Sequence, residues 1–592
     1  MVLDLAAVRA IYCAGSTPHD LLAAVAERMA AADPAIFIAR APNAMLAAAA
    51  DALLARAPQP NSLPLWGVPF AVKDNIDVAG LPTTCACPEF AYRAWQDAEV
   101  VSRLRAAGAI PIGKTNLDQF ATGLNGTRSP YGAPRSVFNA DHISGGSSSG
   151  SAVAVAGGIA SFALGTDTAG SGRVPAMFNN IVGVKPTPGL LSNRGMVPAC
   201  ESLDCISLFA LSVADGAEVR RVAEGYDPVD PWSRRAEPKS LPGGSLRIGV
   251  PQPAQRDFHG HEGNAALYAQ LLASLEQPPV EIDYTPFAET AALLYDGPWV
   301  AERQAAFNAT GLSAAVLDPS VGAILAQSAK FSAVDLFDGQ HQLQALRRRC
   351  MDELARVDVL LLPTAPRSFT VAEMRAEPIR HNSALGIYTN FCNLLGLSAL
   401  AIPGGFAPDG MPFGVTLVGA AFADEALCAL GDQLHRSAAC GSGIARDAVL
   451  PPYRTPAVYA DRIEIAVVGA HLSGMPLNRE LLDLGGELVT ATRTAPDYRL
   501  YALPKLSPPK PGLIRVPGSV GPGITLEIWS LPAEAFGRFV AAIGSPLGIG
   551  KISLADGGIV SGFLCENWAV QDARDITDLG GWREFLKAAS VD

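Results

Sequence analysis

Charged residues are scarce in this chain, and acidic residues outnumber basic ones. Asp, Glu, Lys and Arg make up 17% of the 592 residues, and 45 Lys and Arg stand against 57 Asp and Glu, so the formal net charge is −12. A protein that binds the phosphate backbone of nucleic acid, or an anionic membrane, carries a basic patch. We therefore expect neither nucleic acid nor a membrane as a partner.

Long apolar runs and closely paired cysteines are missing as well. The longest apolar run, residues 152–164, contains two glycines and a serine and is shorter than the roughly 18–20 residues that span a bilayer. The N-terminus, MVLDLAAVRA, lacks the basic start of a signal peptide. None of the ten cysteines forms a C-x-x-C pair, which favours free thiols in a reducing compartment. These absences predict a soluble cytoplasmic protein.

The chain is too long for a single hydrophobic core, so at least two domains are expected. Residues 449–456 (VLPPYRTP) carry three prolines in eight residues, which is typical of a linker. We predict a first domain over 1–448, a linker over 449–461 and a second domain over 462–592.

Apolar patterning predicts the class of each domain. Before the linker, helical stretches such as the one that Thr17 caps and residues 334–354 alternate with short strands at 109–113, 246–250, 357–362 and 400–403. This alternation predicts an α/β fold, a mixed β-sheet covered by helices. After the linker, strand-like runs at 463–468, 487–492, 498–503, 524–531 and 559–563 surround one helix at 533–543. They predict a smaller α+β domain.

Glycine- and serine-rich segments between residues 67 and 187 contain the candidate chemistry. They lack the G-x-x-x-x-G-K-[ST] pattern of a phosphate-binding loop, and no G-x-S-x-G nucleophile elbow surrounds Ser147 or Ser171. No nucleotide or flavin fingerprint is present, and His259 and His261 form an H-x-H in a polar stretch. We expect no metal and no cofactor. Taken one at a time, such serines are more often plain turn residues.

Three segments together resemble the amidase-signature family, and the resemblance extends over roughly residues 20–440. The segments are GVPFAVKDN at 67–75, GGSSSGS at 145–151 and GTDTAGSGRVPA at 165–176. The family's catalytic group is a serine, a second serine in a cis peptide and a lysine. Matched motif to motif, these fall on Ser171, Ser147 and Lys73.

The chemistry of this group is coherent. A serine hydroxyl is a weak nucleophile until a base takes its proton, and a lysine serves as that base when burial keeps it neutral. Lys73 lies in an apolar stretch, and Ser147 would relay the proton. The turn Thr168-Ala169-Gly170 before the nucleophile would supply the oxyanion hole, although many family members have glycine where Ala169 stands. Asp167 and Arg173 are expected to form a buried pair that shapes this loop.

Substrate choice depends on a narrower resemblance, to the allophanate hydrolases. Tyr295 and Arg303, in LLYDGPWVAERQ, match the segment that binds the substrate carboxylate in that family. Their eight-residue spacing, about two helical turns, would place both side chains on one helix face. Gly126 is expected to line the same pocket. Without the family context, a packed tyrosine and a surface arginine are the simpler interpretation.

Residues 462–592 resemble the extra domain of allophanate hydrolases, which is similar to γ-glutamylcyclotransferases. His471, in VGAHLSGMPLN at 468–478, is the candidate proton-transfer residue, although a lone histidine is more often structural. Ser473, Asn478 and Glu566 are weaker companions. The resemblance implies hydrolysis of allophanate by Ser171 with release of ammonia, a second domain that helps N-carboxycarbamate to decay, and a homodimer.

Other functions are compatible with parts of this pattern. The same chemistry would serve another small amide, or the amidase subunit of a tRNA-dependent amidotransferase, which does not need the second domain. A catalytically silent scaffold conflicts with the intact Lys73, Ser147 and Ser171. The second domain alone would also serve dimerisation or regulation beside an active amidase.

Overall fold

The computed structural model describes residues 3–242, 246–455, 462–504 and 508–589. The chain divides into two compact units, Met1–Arg454 and Thr455–Asp592. Of the predicted linker, residues 456–461 lie outside the described residues. Within the described part of the chain, no helix combines the length and the apolar character needed to cross a membrane.

A large mixed sheet forms the centre of the first unit. The strands of this unit are β1 (Phe37–Arg40), β2 (Pro69–Lys73), β3 (Pro82–Thr83), β4 (Tyr92–Arg93), β5 (Ile110–Thr115), β6 (Phe162–Asp167), β7 (Val182–Lys185), β8 (Cys205–Ala210), β9 (Ile248–Pro251), β10 (Val280–Ile282), β11 (Val359–Pro363), β12 (Ser398–Phe406) and β13 (Pro412–Gly419). Among the described residues, eleven of them pair in the order β1-β5-β2-β6-β8-β7-β12-β13-β11-β9-β10, and β3 pairs with β4. Strand β2 runs parallel to both β5 and β6, whereas β6 is antiparallel to β8.

Helices cover this sheet, for example α7 over β8 and α16 over β12. The helices of the first unit are α1 (Leu5–Cys13), α2 (Pro18–Ala31), α3 (Asn43–Arg56), α4 (Glu99–Ala106), α5 (Ser149–Ala156), α6 (Val174–Phe178), α7 (Val213–Ala223), α8 (Glu262–Ala273), α9 (Thr285–Asp296), α10 (Trp299–Asn308), α11 (Pro319–Ala326), α12 (Ala333–Leu354), α13 (Val371–Ala376), α14 (Arg380–Leu385), α15 (Phe391–Leu394) and α16 (Ala426–Ser437). The predicted α/β class is confirmed.

Strands β2 and β6 position the candidate chemistry. Every residue of both strands is buried, as expected for neighbouring parallel strands covered on both faces. Their register pairs Val72 with Leu164, so the carboxyl ends of the two strands meet at one edge of the sheet. Lys73 is the last residue of β2, and Thr166 and Asp167 are the last residues of β6.

The second unit is a smaller α+β structure, as predicted. Its strands are β14 (Arg462–Val467), β15 (Glu487–Arg493), β16 (Tyr498–Ala502), β17 (Pro511–Arg515), β18 (Thr525–Pro532), β19 (Leu547–Ser553), β20 (Ile559–Cys565) and β21 (Arg574–Asp575), and its helices are α17 (Asn478–Asp483), α18 (Ala533–Ala541) and α19 (Trp582–Ala589). The described strands form a five-stranded sheet, β15-β18-β14-β20-β19, and a three-stranded sheet, β17-β16-β21. Strand β14 is central and its buried residues Ile465 and Val467 belong to the unit's core.

Candidate active site

Lys73 is a buried amine with two hydroxyl partners. Its Nζ donates to Ser147 Oγ at 2.8 Å and to Thr166 Oγ1 at 2.6 Å, and the residue has no exposed surface. Burial, the dominant influence, lowers the pKa of Lys73 from 10.5 to about 7, while the carboxylates of Asp118, Asp204 and Asp167 act in the opposite direction. A substantial fraction of this amine is therefore neutral near pH 7, as a general base requires.

Ser147 lies in the loop that precedes α5, and its backbone is hydrogen-bonded to Asp118. Its peptide bond to Gly146 is cis, and its carbonyl accepts the N–H of Asp118 at 3.1 Å. The side chain is fully buried, so its hydroxyl exchanges protons only with groups inside the site. Helix α5 begins two residues later and fixes the loop that carries Ser147.

Ser171 lies in the turn between β6 and α6. Its hydroxyl is 3.4 Å from the Gly123 carbonyl oxygen, a weak hydrogen bond that leaves the oxygen available to a substrate. Gly170 has a φ of +153°, and a Cβ there would lie 2.4 Å from the Thr389 hydroxyl, so the turn tolerates no side chain at this position.

The candidate oxyanion turn is fixed on both sides by buried acids. The expected pair is present: Arg173 Nε and Nη2 each lie 2.9 Å from an oxygen of Asp167, which also accepts the Gly172 N–H. The hydroxyl of Thr168 donates to the carboxylate of Asp204. Ala169 is 2% exposed and packed within the turn.

Sequence reasoning missed three residues of this site: Thr166, Asp118 and Asp204. Thr166 is the second residue of the GTDTAGS motif at 165–171, and its place in the motif that carries Ser171 could have marked it as a candidate site residue. Asp118 follows the end of buried β5 and Asp204 directly precedes buried β8, and polar residues at strand ends of a buried sheet are candidates for a site. No local pattern indicated that the charge of either would act on Lys73.

Tyr295 and Arg303 meet, but not as predicted. Helix α9 ends at Asp296 and α10 begins at Trp299, so the two side chains do not share a face of one helix. Gly297 and Pro298 form the break, since proline has no backbone N–H to donate to a helix and disfavours helical backbone at the residue before it. Nevertheless Arg303 Nη2 lies 3.4 Å from the Tyr295 hydroxyl, and the guanidinium carbon is 5.1 Å from the ring centre.

Arg303 is a buried cation with spare hydrogen-bonding capacity. Only 2% of the residue is exposed, its Nη1 makes a long 3.5 Å contact with the Thr122 hydroxyl, and its Nε has no partner among the described residues. Buried guanidinium groups normally have their donors satisfied. A guanidinium with such free capacity can bind an anion that has two oxygens.

Gly126 contributes through its backbone. Its φ is +78°, and its N–H donates to Asp118 Oδ2 at 3.0 Å. A Cβ here would lie 2.7 Å from the Gly145 carbonyl oxygen, so Gly126 lies directly against the loop that carries Ser147. Its expected contact with substrate stays a prediction.

His471 lines a cavity of about 380 Å³ in the second unit, together with Glu480, Lys510 and Phe563. Its Nε2 lies 3.0 Å from a Glu480 carboxylate oxygen, and its ring stacks on Phe563 at 5.3 Å. Burial, the largest influence, lowers the pKa of His471. A neutral imidazole beside a carboxylate is suited to proton transfer.

The predicted companions of His471 separate in the structure. Asn478 Nδ2 donates to the His471 carbonyl at 3.0 Å and so fixes its loop. Ser473 instead donates to Glu527, and Glu566 accepts from the Trp568 indole.

No metal-binding cluster lies in the parts of the chain that the structure describes, which hold no group of three or more His, Cys, Asp and Glu side chains suited to a metal ion. His261 of the H-x-H caps α8, accepting the Asn264 N–H at 3.0 Å, and its Nε2 lies 3.1 Å from Asp409.

Known proteins are similar to both units. Residues 20–428 match the family described as Amidase, and residues 463–587 match the family described as Allophanate hydrolase C-terminal domain. The urea amidolyase of Saccharomyces cerevisiae is 44% identical over 548 residues, which cover 89% of this chain and 30% of the yeast protein. The chain thus spans less than a third of the length of that relative.

Two further proteins mark how far the similarity extends. The structure of Kluyveromyces lactis allophanate hydrolase is 41% identical, with a TM-score of 0.75 and coverage of 98% of each chain. A glutamyl-tRNA(Gln) amidotransferase subunit of Methylacidiphilum infernorum is 34% identical over 406 residues, which cover 62% of this chain and 82% of that protein.

Proposed function

The chain belongs to the amidase family, as its motifs predicted, and we propose that it hydrolyses allophanate with Ser171 as the nucleophile. The observation that carries this proposal is the buried amine of Lys73, 2.8 Å from the Ser147 hydroxyl and with a pKa lowered to about 7. Neutral Lys73 takes a proton from Ser147 as Ser147 takes one from Ser171. The activated Ser171 oxygen then attacks the terminal amide carbon of the substrate.

The remaining steps use the same groups in reverse. Backbone N–H groups of the turn Thr168-Ala169-Gly170-Ser171 stabilise the oxyanion of the tetrahedral intermediate. The proton stored on Lys73 returns through Ser147 to the leaving nitrogen, and ammonia departs. Water then attacks the acyl-enzyme by the same relay, which frees Ser171 and yields N-carboxycarbamate.

Arg303 supports a carboxylated substrate. Its buried guanidinium, with Nε unpartnered among the described residues and Tyr295 beside it, offers a planar pair of donors for the allophanate carboxylate. The identity of the Kluyveromyces lactis enzyme, matched over 98% of both chains, supports the same substrate.

Hydrolysis of another small amide is the alternative, with the second unit serving only dimerisation or regulation. The similarity to the glutamyl-tRNA(Gln) amidotransferase protein covers 62% of this chain, whereas the allophanate hydrolase match covers both units. The second unit's cavity, with His471 beside Glu480, favours a chemical role for this unit.

We propose that this cavity assists the breakdown of N-carboxycarbamate. The product is a small dianion, and Lys510 provides a positive charge in the same cavity as His471. As the bond between nitrogen and the departing carbon dioxide breaks, His471 would donate its proton to that nitrogen and regain one from water.

We further propose a cytoplasmic homodimer. All ten cysteines are free thiols, which suits a reducing compartment. Helix α12 exposes Val334 (68%) and Phe337 (59%) one turn apart, and clustered exposed apolar residues are typical of subunit interfaces. Light scattering should give the mass of a dimer, and Phe337→Glu should lower it if α12 is the interface.

The decisive experiment measures ammonia release from allophanate by the full chain and by Ser171→Ala. Release by the full chain and its loss in the variant would support the mechanism and substrate together. Activity on another amide but none on allophanate would retain the Ser171 mechanism and overturn the substrate. Equal release by Ser171→Ala would exclude this serine as the nucleophile.

A further inference from the structure

Asp118 lies at the junction of the two loops that frame the site. Its carboxylate accepts three backbone N–H groups: those of Asn125 at 3.2 Å and Gly126 at 3.0 Å on Oδ2, and that of Arg128 at 3.0 Å on Oδ1. Its own N–H donates to the Ser147 carbonyl at 3.1 Å. One residue thus binds the 123–128 loop with its side chain and the Ser147 loop with its backbone.

Two glycines pack closely against this carboxylate. A Cβ on Gly123 would lie 2.5 Å from Asp118 Oδ2, and one on Gly146 would lie 2.3 Å from the same oxygen. Gly146 precedes Ser147, and the Gly123 carbonyl is the hydrogen-bond partner of Ser171. Displacement of the Asp118 carboxylate would therefore shift the surroundings of both serines.

The charge of Asp118 also acts on Lys73. Four ionisable groups act on the pKa of this amine through their charges: Asp118 after β5, Asp204 before β8, Asp167 at the end of β6 and Cys85 after β3. The effect of Asp118 is the largest of the four. Asp167 shares both carboxylate oxygens with Arg173, whereas the side-chain partners of Asp118 are neutral N–H groups. The charge of Asp118 is thus less compensated locally than that of Asp167.

We propose that Asp118 is a positioning residue of the reaction: it holds the 123–128 loop, whose Gly123 carbonyl contacts Ser171, against the Ser147 loop, and it supplies a negative charge that acts on Lys73. The proposal rests on the proposed function only in taking Ser171 as the nucleophile and Lys73 as its base. It does not depend on which amide is hydrolysed.

Asp118→Asn tests both parts of this role. The carboxamide keeps the shape but removes the charge and replaces one acceptor oxygen by an N–H₂ that opposes a backbone N–H. We expect a rate loss of about 10- to 100-fold from misplaced groups. Because the lost charge favoured protonated Lys73, the rising limb of the pH–rate profile should also move to lower pH, by about one pH unit.

A fluorophosphonate probe makes the measurement independent of the substrate. The probe phosphonylates Ser171 in the full chain and loses fluoride, and intact mass spectrometry follows the rate of this labelling. The rate is measured from about pH 5 to about pH 9, a range that spans the expected rising limb of the pH–rate profile. Absence of labelling at Ser171 in the unmodified protein would overturn the proposed nucleophile. Labelling with the same rate and limb in Asp118→Asn would overturn the present proposal while the nucleophile stands.

Two further variants separate charge from geometry. Gly126→Ala should displace the 123–128 loop, because its Cβ would lie 2.7 Å from the Gly145 carbonyl oxygen. The variant keeps the charge of Asp118, so the labelling rate should fall while the rising limb of the pH–rate profile stays in place. Asp215→Asn removes another buried carboxylate of the first unit, in α7, and should change neither rate nor limb. If Asp118→Asn does not fold, an unchanged labelling rate in Gly126→Ala overturns the loop role of Asp118. If Asp118→Asn folds and labels more slowly, but the rising limb of its pH–rate profile does not move, the charge role is wrong.

Discussion

The Arg303 guanidinium carbon lies 5.1 Å from the centre of the Tyr295 ring, although the two residues belong to different helices. The helix break at Gly297 and Pro298 turns α10 so that its buried arginine meets the last turn of α9. An aromatic face attracts a cation. The contacts of Nη1 and Nη2 with hydroxyl groups are long, and Nε has no partner among the described residues. In the proposed function, the contact with Tyr295 positions Arg303 to bind the carboxylate of the substrate.

Arg303→Lys should therefore weaken binding of the carboxylate more than it slows chemistry. Lysine keeps the charge but provides a single point donor instead of a planar fork. We expect the KM for allophanate to rise about 10- to 100-fold, which corresponds to roughly 1.4–2.7 kcal/mol, with a smaller change in kcat. Steady-state kinetics on the full chain measure both.

A neutral amide without a carboxylate provides the control substrate, and its KM should not change in this variant. Arg349→Lys is a matched control, since Arg349 is half-exposed and pairs with Glu289. Equal losses on the charged and neutral substrates would contradict the carboxylate role of Arg303.

The pH dependence of kcat/KM should follow Lys73. Its pKa is lowered to about 7 by burial, so the neutral base is minor below that pH and dominant above it. Activity should thus rise with pH and level off above about pH 8. Lys73→Ala should lose this limb together with about 10²–10⁴-fold in rate. A kcat/KM that stays constant from about pH 5.5 to about pH 8.5, the range in which the rise is expected, would contradict a lysine base.

Asp215 makes stability depend on pH. Burial, with Asp4 adding to it, raises the pKa of this carboxyl from 3.8 to about 7, so the folded state holds its proton more tightly than the unfolded state. The contribution of Asp215 to stability is complete below about pH 4 and is lost as pH rises to about 7. Asp215→Asn, which does not titrate, should gain stability relative to the original protein between these values, by up to roughly 1.4 kcal/mol per pH unit.

Thermal melting at pH 5 and pH 8 measures this difference, and the melting temperature of Asp215→Asn should exceed that of the original protein more at pH 8. Asp338→Asn, an exposed position of α12, is the control and should give equal differences at both pH values. A pH-independent difference for Asp215→Asn would show that this carboxyl titrates normally in the fold.

His471→Gln should uncouple the two proposed reactions. The amide keeps a polar group near Glu480 but transfers no proton at neutral pH. The first ammonia should be released at the original rate, while the second follows with a lag as N-carboxycarbamate accumulates. Time-resolved ammonia measurement with ¹³C NMR of the intermediate distinguishes these steps. Release of both ammonia molecules without a lag would assign the second unit to a structural role.

Local chemistry alone predicted much of the fold. Thr17 and Asp20 form the capping box that begins α2, and the helix predicted over 334–354 is α12, Ala333–Leu354. These helices depend on contacts between residues within one or two turns of each other, so the nearby sequence is enough to predict them. The strands β2 and β6 were not predicted, since short runs that are apolar except at their carboxyl ends have no periodicity that separates a buried strand from a buried helix.

The sequence by itself determined which residues are available for chemistry, because the three glycine- and serine-rich motifs fix the positions of Lys73, Ser147 and Ser171 along the chain. Only the tertiary structure decided what surrounds them. Lys73 meets Thr166 because β2 pairs with β6 over a separation of 93 residues. The charges of Asp118 and Asp204, near the ends of other strands, act on the same amine. Sheet order is set by long-range pairing and burial rather than by local patterns, so the electrostatics of the site could not be inferred from adjacent residues.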